Sequence, residues 1–429
     1  MKLIKYPLRK NWKELLQRPA IDNTSLRQKV KIVMNEVKEN GDSAVKQFTQ
    51  EFDGVALESF AVSANEIHES AALLSAELKQ AIRQAAINVD MFHKKQVTNV
   101  EIVETMPGVQ CWRKSIGIEK VGLYIPGGTA PLFSTILMLG IPAKIAGCKE
   151  IILCSPPGKD GKLHPAILFA AELVGITKIF KIGGVQAIAA MAYGTQTVPQ
   201  VYKIFGPGNQ YVTCAKQLIQ QDGIAIDMPA GPSEVCVLAD ATAKAAFVAA
   251  DLLSQAEHGV DSQVLLVTCD GFLVENVQKA LEKQLAVLPR KDIAAKVLEN
   301  STAIIVKDME EAIDLVNEYA AEHLIIACEN DETIAEKIIN AGSVFLGNYS
   351  PESVGDYASG TNHTLPTNGF AKAYSGVSVD SFVKKITYQK LSHQGLLKIG
   401  ETVVLMAEAE GLTAHANAVN IRLNSDSQG

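Results

Sequence analysis

The chain of 429 residues carries a net charge of −7, with 47% hydrophobic and 20% charged residues. That balance is typical of a folded globular protein, and the length indicates roughly two to four domains. Because the chain is acidic overall and has no run rich in Lys and Arg, its charge gives no support for a nucleic-acid or acidic-membrane partner.

The seven Cys residues are scattered and form no C-x-x-C pair, so neither a disulfide framework nor a thiolate zinc site is indicated. The N-terminal residues lack the apolar core of a signal peptide, and no apolar run reaches the roughly 18 residues that span a bilayer. We therefore expect a cytoplasmic protein that does not enter a membrane.

Residues 1–100 are predicted to be mostly helical. A short stretch ends near Arg18, and Thr24 or Ser25 can cap a helix that runs to Gly41. This segment offers no catalytic constellation, so we expect it to serve as packing surface.

The middle of the chain alternates short β-rich runs with Ala- and Leu-rich runs of helix length. The predicted strands are 151–155, 179–184, 201–208, 235–239, 264–268, 303–306, 324–328 and 343–346. Apolar strands that alternate with helices predict parallel sheets covered on both faces. The loop over 228–234 divides the strands into two runs, so we expect two sheet domains.

The segment 347–376 reads as a loop rich in Gly, Ser, Asn and Asp. A loop of this length inside a compact protein is usually functional or disordered, and its Asp, His and Asn content favours function. From about residue 377 helical spacing returns, with a break at Gly411.

Three predicted strands end in glycine, in the segments 124–128, 182–186 and 205–209. Glycine lets the backbone turn tightly and approach a ligand, and ligands of open α/β sheets lie beyond the carboxyl ends of the strands. None of the three matches G-x-G-x-x-G, so each by itself favours a plain turn between strand and helix over a nucleotide site.

Gln255 and His258 are three residues apart and share a helical face, with Gly259 as the predicted C-cap. An amide oxygen and an imidazole can hold a metal, but His258 alone is explained as well by the helix dipole. Asp356 and His415 offer a further oxygen and nitrogen, although each alone fits a loop or surface position. A mixed N/O set suits Zn²⁺ with positions left for substrate, and it suits Mn²⁺ as well.

Glu322 and His323 lie at a helix-to-strand junction, where a charged pair often marks only a boundary. In a site, glutamate suits the activation of water and histidine suits proton removal from an alcohol. Cys111 and Cys148 raise the option of a thiol nucleophile, but neither has an activating context, so we predict both as small buried apolar residues.

These segments together resemble the histidinol dehydrogenase family. The matching stretches run in family order from about 121 to 420: VGLYIPGGTAPLFSTILML, KIGGVQAIAAMAYGT, KIFGPGN, AIDMPAGPSEV, DLLSQAEHG, EHLII, GSVFLG, SPES, GDYASGTNHTLPT and EGLTAHANAV. Weaker similarity extends to the N-terminus, and no motif position departs from the family pattern.

The resemblance implies a role for each matching residue. It implies zinc ligands that also face the substrate at Gln255, His258, Asp356 and His415. It implies further substrate contacts from Ser233, His323 and Glu410. It implies NAD contacts from Tyr124, Gln186 and Asn209.

The resemblance also implies two successive NAD-dependent oxidations, from L-histidinol through L-histidinal to L-histidine. Zinc would position the substrate through its amino and imidazole nitrogens. His323 would take the hydroxyl proton and Glu322 would activate water. The enzyme would be a homodimer with a shared site, to which the neighbouring subunit supplies Glu410 and His415.

The implied fold is α/β, with two incomplete Rossmann-like parallel-sheet domains and small helical terminal segments. The expected parts are an N-terminal segment 1–22, a first domain from 23–123 and 235–376, a second domain 124–234, and a C-terminal segment 377–429. Competing hypotheses are a relative that acts on another amino alcohol, a zinc hydrolase that uses Glu322, and a non-catalytic metabolite-binding protein.

Overall fold

A computed structural model describes residues 1–18, 23–127, 131–229 and 231–424. The contacts between residues divide the chain into two compact units. Unit 1 comprises Met1–Gln96 and Ile118–Phe382, and unit 2 comprises Val97–Gly117 and Val383–Gly429. Among the described residues, no helix is both long and apolar enough to cross a bilayer.

Strand and helix bounds confirm the predicted alternation in the middle of the chain. Strands β1 to β14 are, in chain order, Lys2–Lys5, Ile102–Met106, Val109–Gly117, Lys120–Tyr124, Glu150–Ser155, Lys178–Lys181, Lys203–Phe205, Ala225–Ile226, Glu234–Ala239, Gln263–Thr268, Thr302–Ile305, His323–Ala327, Ser343–Leu346 and Val383–Leu391. Helices α1 to α17 are Trp12–Leu15, Asn23–Asn40, Asp42–Phe48, Ala64–Ser70, Ala76–Lys94, Ser134–Ile145, Pro165–Leu173, Gly184–Tyr193, Gln210–Ile219, Ala245–Ala256, Gly271–Leu285, Lys291–Glu299, Met309–Tyr319, Asp331–Ala335, Glu352–Tyr357, His393–Ala409 and Thr413–Leu423. Each predicted strand run overlaps one of these strands.

The larger sheet of unit 1 has six parallel strands in the order β1-β11-β10-β9-β12-β13. Every residue of the central strands β9 and β12 is buried. Alternate residues of β9 enter different cores: Val235 and Val237 pack with α10 to α12, while Cys236 and Leu238 pack with α13. Helices therefore cover both faces, which explains why these strands read as continuous apolar runs.

The second sheet of unit 1 has five parallel strands in the order β6-β5-β4-β7-β8. One face packs against α2, α3, α8 and α9, and the other against α5, α6 and α7. Two parallel sheets covered by helices confirm the predicted α/β class. The smaller sheet carries the strands that end in the three glycine segments.

Several helices of residues 23–123 lie on the five-stranded sheet, while the expected grouping of that segment with 235–376 stays a prediction. The helices α2, α3 and α5 cover the five-stranded sheet, and β4 belongs to that sheet. The apolar stripe of a helix shows which face is buried, but it does not show which sheet receives it. The other expected boundaries stay predictions, and the one at residue 22 lies outside the described residues.

We expected both terminal segments to be helical, but each of them also contains a strand. The four residues of β1 pair in parallel with β11 at the edge of the six-stranded sheet. In unit 2, β14 pairs antiparallel with β3, and β3 pairs antiparallel with β2. Segment 97–117 therefore belongs with the C-terminal residues, because a strand finds its partner through backbone hydrogen bonds that sequence spacing does not reveal.

Candidate active site

The predicted catalytic residues lie at the amino edge of the six-stranded sheet. His323 begins β12 and is paired with Val235, the second residue of β9. Helix α10 returns from the carboxyl end of β9 to the start of β10, so Gln255 near its end comes back to the same edge. These candidates therefore lie at the edge opposite to the one at which ligands of open α/β sheets usually bind.

Both catalytic candidates are held by the backbone of Glu234. The amide N–H of Glu234 donates to Oε2 of Glu322 at 2.9 Å, and Nδ1 of His323 lies 3.2 Å from the Glu234 carbonyl oxygen. Because a carbonyl only accepts, Nδ1 of His323 carries a proton. Nε2 of His323 is buried without a hydrogen-bond partner and lies 3.4 Å from Oδ1 of Asp356.

Carboxyl groups surround the His323 ring. Burial raises the pKa of Glu322 to about 8. Burial opposes a charged ring at His323, but the carboxyls of Glu322, Asp356 and Glu352 outweigh it and raise its pKa to about 10. Burial favours the neutral form of Asp356, yet the facing ring of His323 lowers the pKa of that carboxyl. The cluster therefore attracts a proton or a cation to its centre.

Three of the predicted zinc ligands lie in this region of unit 1. Nε2 of Gln255 is 3.1 Å from Nδ1 of His258, and Oε1 of Gln255 is buried without a hydrogen-bond partner. Desolvation by the cleft walls lowers the pKa of His258, which favours the neutral ring that binds metals. Helix α10 ends at Ala256, and Gly259 has no positive φ, so the predicted glycine C-cap is wrong.

A divalent cation fits this set chemically, because a buried amide oxygen without a partner and a neutral imidazole are ready ligands. Within the described ranges, no group of three His, Cys, Asp or Glu side chains is placed to hold a metal by itself. The predicted set includes an amide, and it takes His415 from unit 2. His415 in α17 and Glu410 at the end of α16 are exposed.

Asp356 lies on a short helix, α15, rather than in an unstructured loop as predicted. One turn earlier on α15, the buried Glu352 accepts a hydrogen bond from Ser254 Oγ at 3.1 Å, and its Oε2 lies 4.0 Å from His323 Nδ1. Burial raises the pKa of Glu352 to about 8. Nδ1 of His363 donates to the backbone oxygen of Asp356 at 2.8 Å.

Sequence reasoning assigned no role to Glu234, Glu352 or His363. Glu352 lies in SPES, His363 lies in GDYASGTNHTLPT and Glu234 lies in MPAGPSE. The motifs therefore included these residues but gave no role for them. Their contacts depend on three separate segments that meet only in the folded chain.

A cleft of about 810 Å³ lies between the edges of the two sheets. Ser233 and His258 line it from the six-stranded sheet, while Pro207 and Asn209 line it from the five-stranded sheet. The structure therefore brings two predicted substrate contacts, Ser233 and His258, to the same cleft as a predicted NAD contact.

All three predicted NAD contacts line a second cavity of about 1130 Å³. The hydroxyl of Tyr124 accepts from the Gly184 N–H at 3.1 Å, and Asn209 Oδ1 caps α9 by accepting from two backbone N–H groups. Oε1 of Gln186 is buried without a hydrogen-bond partner. This cavity lies at the carboxyl edge of its sheet, as the ligand rule expects. The last residue of the first glycine segment, Gly128, lies outside the described residues.

Asp53 is a further residue of this cavity that the sequence did not indicate. Its Oδ2 accepts from Nε2 of Gln186 at 3.4 Å, and burial raises its pKa to about 6. It lies in a helical segment that we predicted to be packing surface, where a single Asp carries no signal.

Cys111 and Cys148 are half-buried, not fully buried as predicted. Burial raises the pKa of the Cys148 thiol to about 11, which keeps it protonated. Neither residue lines the cleft or the large cavity.

The fold and the site are those of an α/β enzyme, with a buried glutamate–histidine pair at one sheet edge and a cavity of about 1130 Å³ at another. Comparison with known proteins narrows this class. The family model for histidinol dehydrogenase matches residues 16–423. The chain belongs to the histidinol dehydrogenase family and is therefore an oxidoreductase.

Relatives and a solved structure agree with this assignment. Histidinol dehydrogenase from Bacteroides thetaiotaomicron is 62% identical over 99% of each chain, and that from Bacteroides fragilis is 60% identical over 99% of each chain. The crystal structure of histidinol dehydrogenase from Elizabethkingia anophelis, 54% identical, superposes with a TM-score of 0.97 and covers 100% of this chain and 99% of its own. The hydrolase and binding-protein hypotheses receive no support.

Proposed function

We propose that this enzyme oxidises L-histidinol through L-histidinal to L-histidine with two molecules of NAD and one bound zinc ion. The observation that supports this most directly is the pair Glu322 and His323, both fixed by Glu234 and facing Asp356. Two basic groups held side by side fit a site that removes protons in two different steps.

Gln255, His258, Asp356 and His415 would hold the zinc ion. When bound, zinc would fix the amino and imidazole nitrogens of histidinol and supply positive charge beside the carboxyl cluster. Ser233 and Glu410 would contact the substrate from either side of the same site. Mn²⁺ is an alternative ion, because the ligands are nitrogen and oxygen.

Tyr124, Gln186 and Asn209 would contact NAD, which would supply the hydride acceptor for each oxidation. In the first step, Nε2 of His323 accepts the hydroxyl proton as the alcohol becomes an aldehyde. The hydrogen bond from its Nδ1 to the Glu234 carbonyl stabilises the charged ring that results.

Glu322 would act between the two oxidations. Its carboxylate takes a proton from the water that attacks the aldehyde, and the resulting hydrate is the substrate of the second oxidation. Burial raises the pKa of Glu322 to about 8, which makes its carboxylate a stronger base than an exposed glutamate. His323 then accepts the hydroxyl proton of the hydrate.

A homodimer with a shared site is part of this proposal. Unit 2 carries apolar side chains that are more than half exposed: Ile102, Val103, Leu405 and Met406. A second copy of the chain that covered these side chains would remove their apolar surface from water. The exposed Glu410 and His415 would then serve the neighbouring subunit.

The cytoplasmic location stays a prediction.

The first test measures NADH formed per histidinol consumed, before and after chelation and again after zinc is returned. Two NADH per histidinol, lost on chelation and restored by zinc, would support the substrate, the cofactors and both steps. No NADH from histidinol by the zinc-loaded protein would contradict the proposal, and NADH from another amino alcohol would then identify the competing activity.

A further inference from the structure

Glu234 is the common anchor of the two proposed catalytic side chains. Its N–H orients Glu322, and its carbonyl oxygen orients His323. A shift of this one residue would therefore misplace both bases together. Its side chain, 2% exposed, points away from these contacts to a different partner.

That partner is Arg18, from the N-terminal segment of the chain. Nε of Arg18 donates to Oε1 of Glu234 at 3.0 Å, and Nη2 donates to Oε2 at 2.8 Å. The two parallel bonds form the fork that a guanidinium makes with a carboxylate and that a lysine cannot reproduce. The pair is held on the other side by the Asn368 N–H, which donates to Oε1 of Glu234 at 2.6 Å.

Arg18 also contacts the turn that leads to the catalytic pair. Its Nη2 donates to the carbonyl of Tyr319 at 2.7 Å, at the end of α13, and its guanidinium lies 3.9 Å from the centre of the Tyr319 ring. The next residue, Ala320, is left-handed with φ +54°, a conformation that a non-glycine residue adopts only when its surroundings hold it. Glu322 follows two residues later.

We infer that Arg18 is a positioning residue for the acid–base pair. One guanidinium fixes both backbone segments on which the pair depends, the start of β9 at Glu234 and the turn at Tyr319. The kinetic consequence rests on the proposed function, in which Glu322 and His323 are the bases. The effect on the position of the His323 ring does not rest on that function, because it concerns only the hydrogen bonds of this residue.

The test compares zinc-loaded variants of the full chain. Arg18→Lys keeps the charge but loses the fork, and the double variant Arg18→Met with Glu234→Gln removes both charges so that no unpaired carboxylate is left buried. The matched control is Arg9→Met, because Arg9 belongs to the same segment but forms an exposed ion pair with Asp314.

We expect both Arg18 variants to lower kcat for histidinol and for histidinal by about 10- to 100-fold, the effect of a misplaced catalytic group. The KM for histidinol and the zinc content should stay within about twofold of wild type, because Arg18 contacts none of the proposed ligands. Arg9→Met should match wild type. Unchanged kcat, or a loss of activity that follows zinc loss or unfolding in proportion, would overturn the inference.

A second measurement separates this inference from the proposed function. Nitrogen NMR of labelled histidine, with the His323 signal assigned by its loss in His323→Asn, reports which ring nitrogen carries the proton. We expect Nδ1 to carry a proton bonded to the Glu234 carbonyl oxygen in wild type, and a mixture of forms with and without this bond in Arg18→Lys. The same form in both would refute the positioning role, whatever the enzyme oxidises. If the ring form changes while wild type yields no NADH from histidinol, only the proposed function fails.

Discussion

His323 is a single imidazole enclosed by three carboxyl groups. The nearest carboxyl oxygens belong to Asp356 at 3.4 Å, Glu322 at 3.7 Å and Glu352 at 4.0 Å, and the residue is 3% exposed. Water screens these charges poorly at such depth, so each carboxyl strongly favours a positive ring. The residue is thus placed to receive a proton, which is the step that the proposal assigns to it.

His323→Asn should abolish most of the first oxidation. Asparagine keeps a polar side chain at the position but has no basic nitrogen, so kcat for histidinol should fall by about 10²- to 10⁴-fold in stopped assays of NADH formation. Zinc content should be unchanged, since His323 is not a proposed ligand. The exposed His68→Asn serves as the control. Turnover like that of wild type would remove His323 as the base.

Glu322→Gln should impair the conversion of histidinal to histidine more than the oxidation of histidinol. A base acts only when deprotonated, and burial raises the pKa of Glu322 to about 8. The rate of histidinal oxidation in wild type should therefore increase as pH rises through about 8, and the variant should lose this increase. The control is Glu318→Gln, an exposed position on the preceding helix. An equal fall in both oxidations would contradict the separate roles.

The turn between β7 and α9 is fixed by a buried ion pair. Asp227 Oδ2 accepts from the Gly206 N–H at 2.8 Å, and Lys216 Nζ donates to the Gly206 carbonyl at 2.7 Å. Lys216 and Asp227 also contact each other at 2.5 Å. Gly206 has φ +124°, and a Cβ there would lie 2.0 Å from the Tyr124 carbonyl oxygen. This element brings the turn close enough to β4 to form the cavity of the proposed NAD contacts.

Gly206→Ala should destabilise the protein by more than about 2 kcal/mol, because it adds a backbone clash to a strained φ. It should also raise the KM for NAD, since the turn carries Asn209. Gly223→Ala is the matched control: its φ is +87°, but a Cβ there meets no atom within 4 Å. The free energies of unfolding of both variants in urea separate the effect of the clash from that of the positive φ. Equal destabilisation would show that the approach to Tyr124 is not required.

At the scale of the whole molecule, one proposed zinc ligand belongs to unit 2 while the catalytic pair belongs to unit 1. The proposed dimer makes this division useful, because each subunit would complete the site of the other. In a symmetric dimer, each of the two sites would combine unit 1 of one subunit with unit 2 of the other.

Subunit mixing tests the shared site. His323→Asn and His415→Asn should each be nearly inactive alone. After partial unfolding and reassembly of an equal mixture, we expect about one quarter of the wild-type activity, because half of the dimers combine the two variants and hold one intact site. Each variant reassembled with itself is the control. No recovery, with dimers confirmed by sedimentation, would mean that each site lies within one subunit.

The sequence by itself determined the local features of this protein. Continuous apolar runs fixed β9, β10 and β12 as buried strands, because only a strand covered on both faces is apolar at every position. The helix-to-strand junction at Glu322 and His323 was also predicted, because the helical period stops where the apolar run begins. Both signals depend on neighbouring residues, which the sequence shows directly.

Only the tertiary structure decided which segments meet. It placed the helices of residues 23–94 on the five-stranded sheet, paired β3 with β14, and moved the catalytic pair to the amino edge of its sheet. It also joined Arg18 to Glu234 across 216 positions of the chain. Such contacts depend on how whole elements pack, and an apolar stripe or a single charged residue specifies no partner until the backbone brings one within reach.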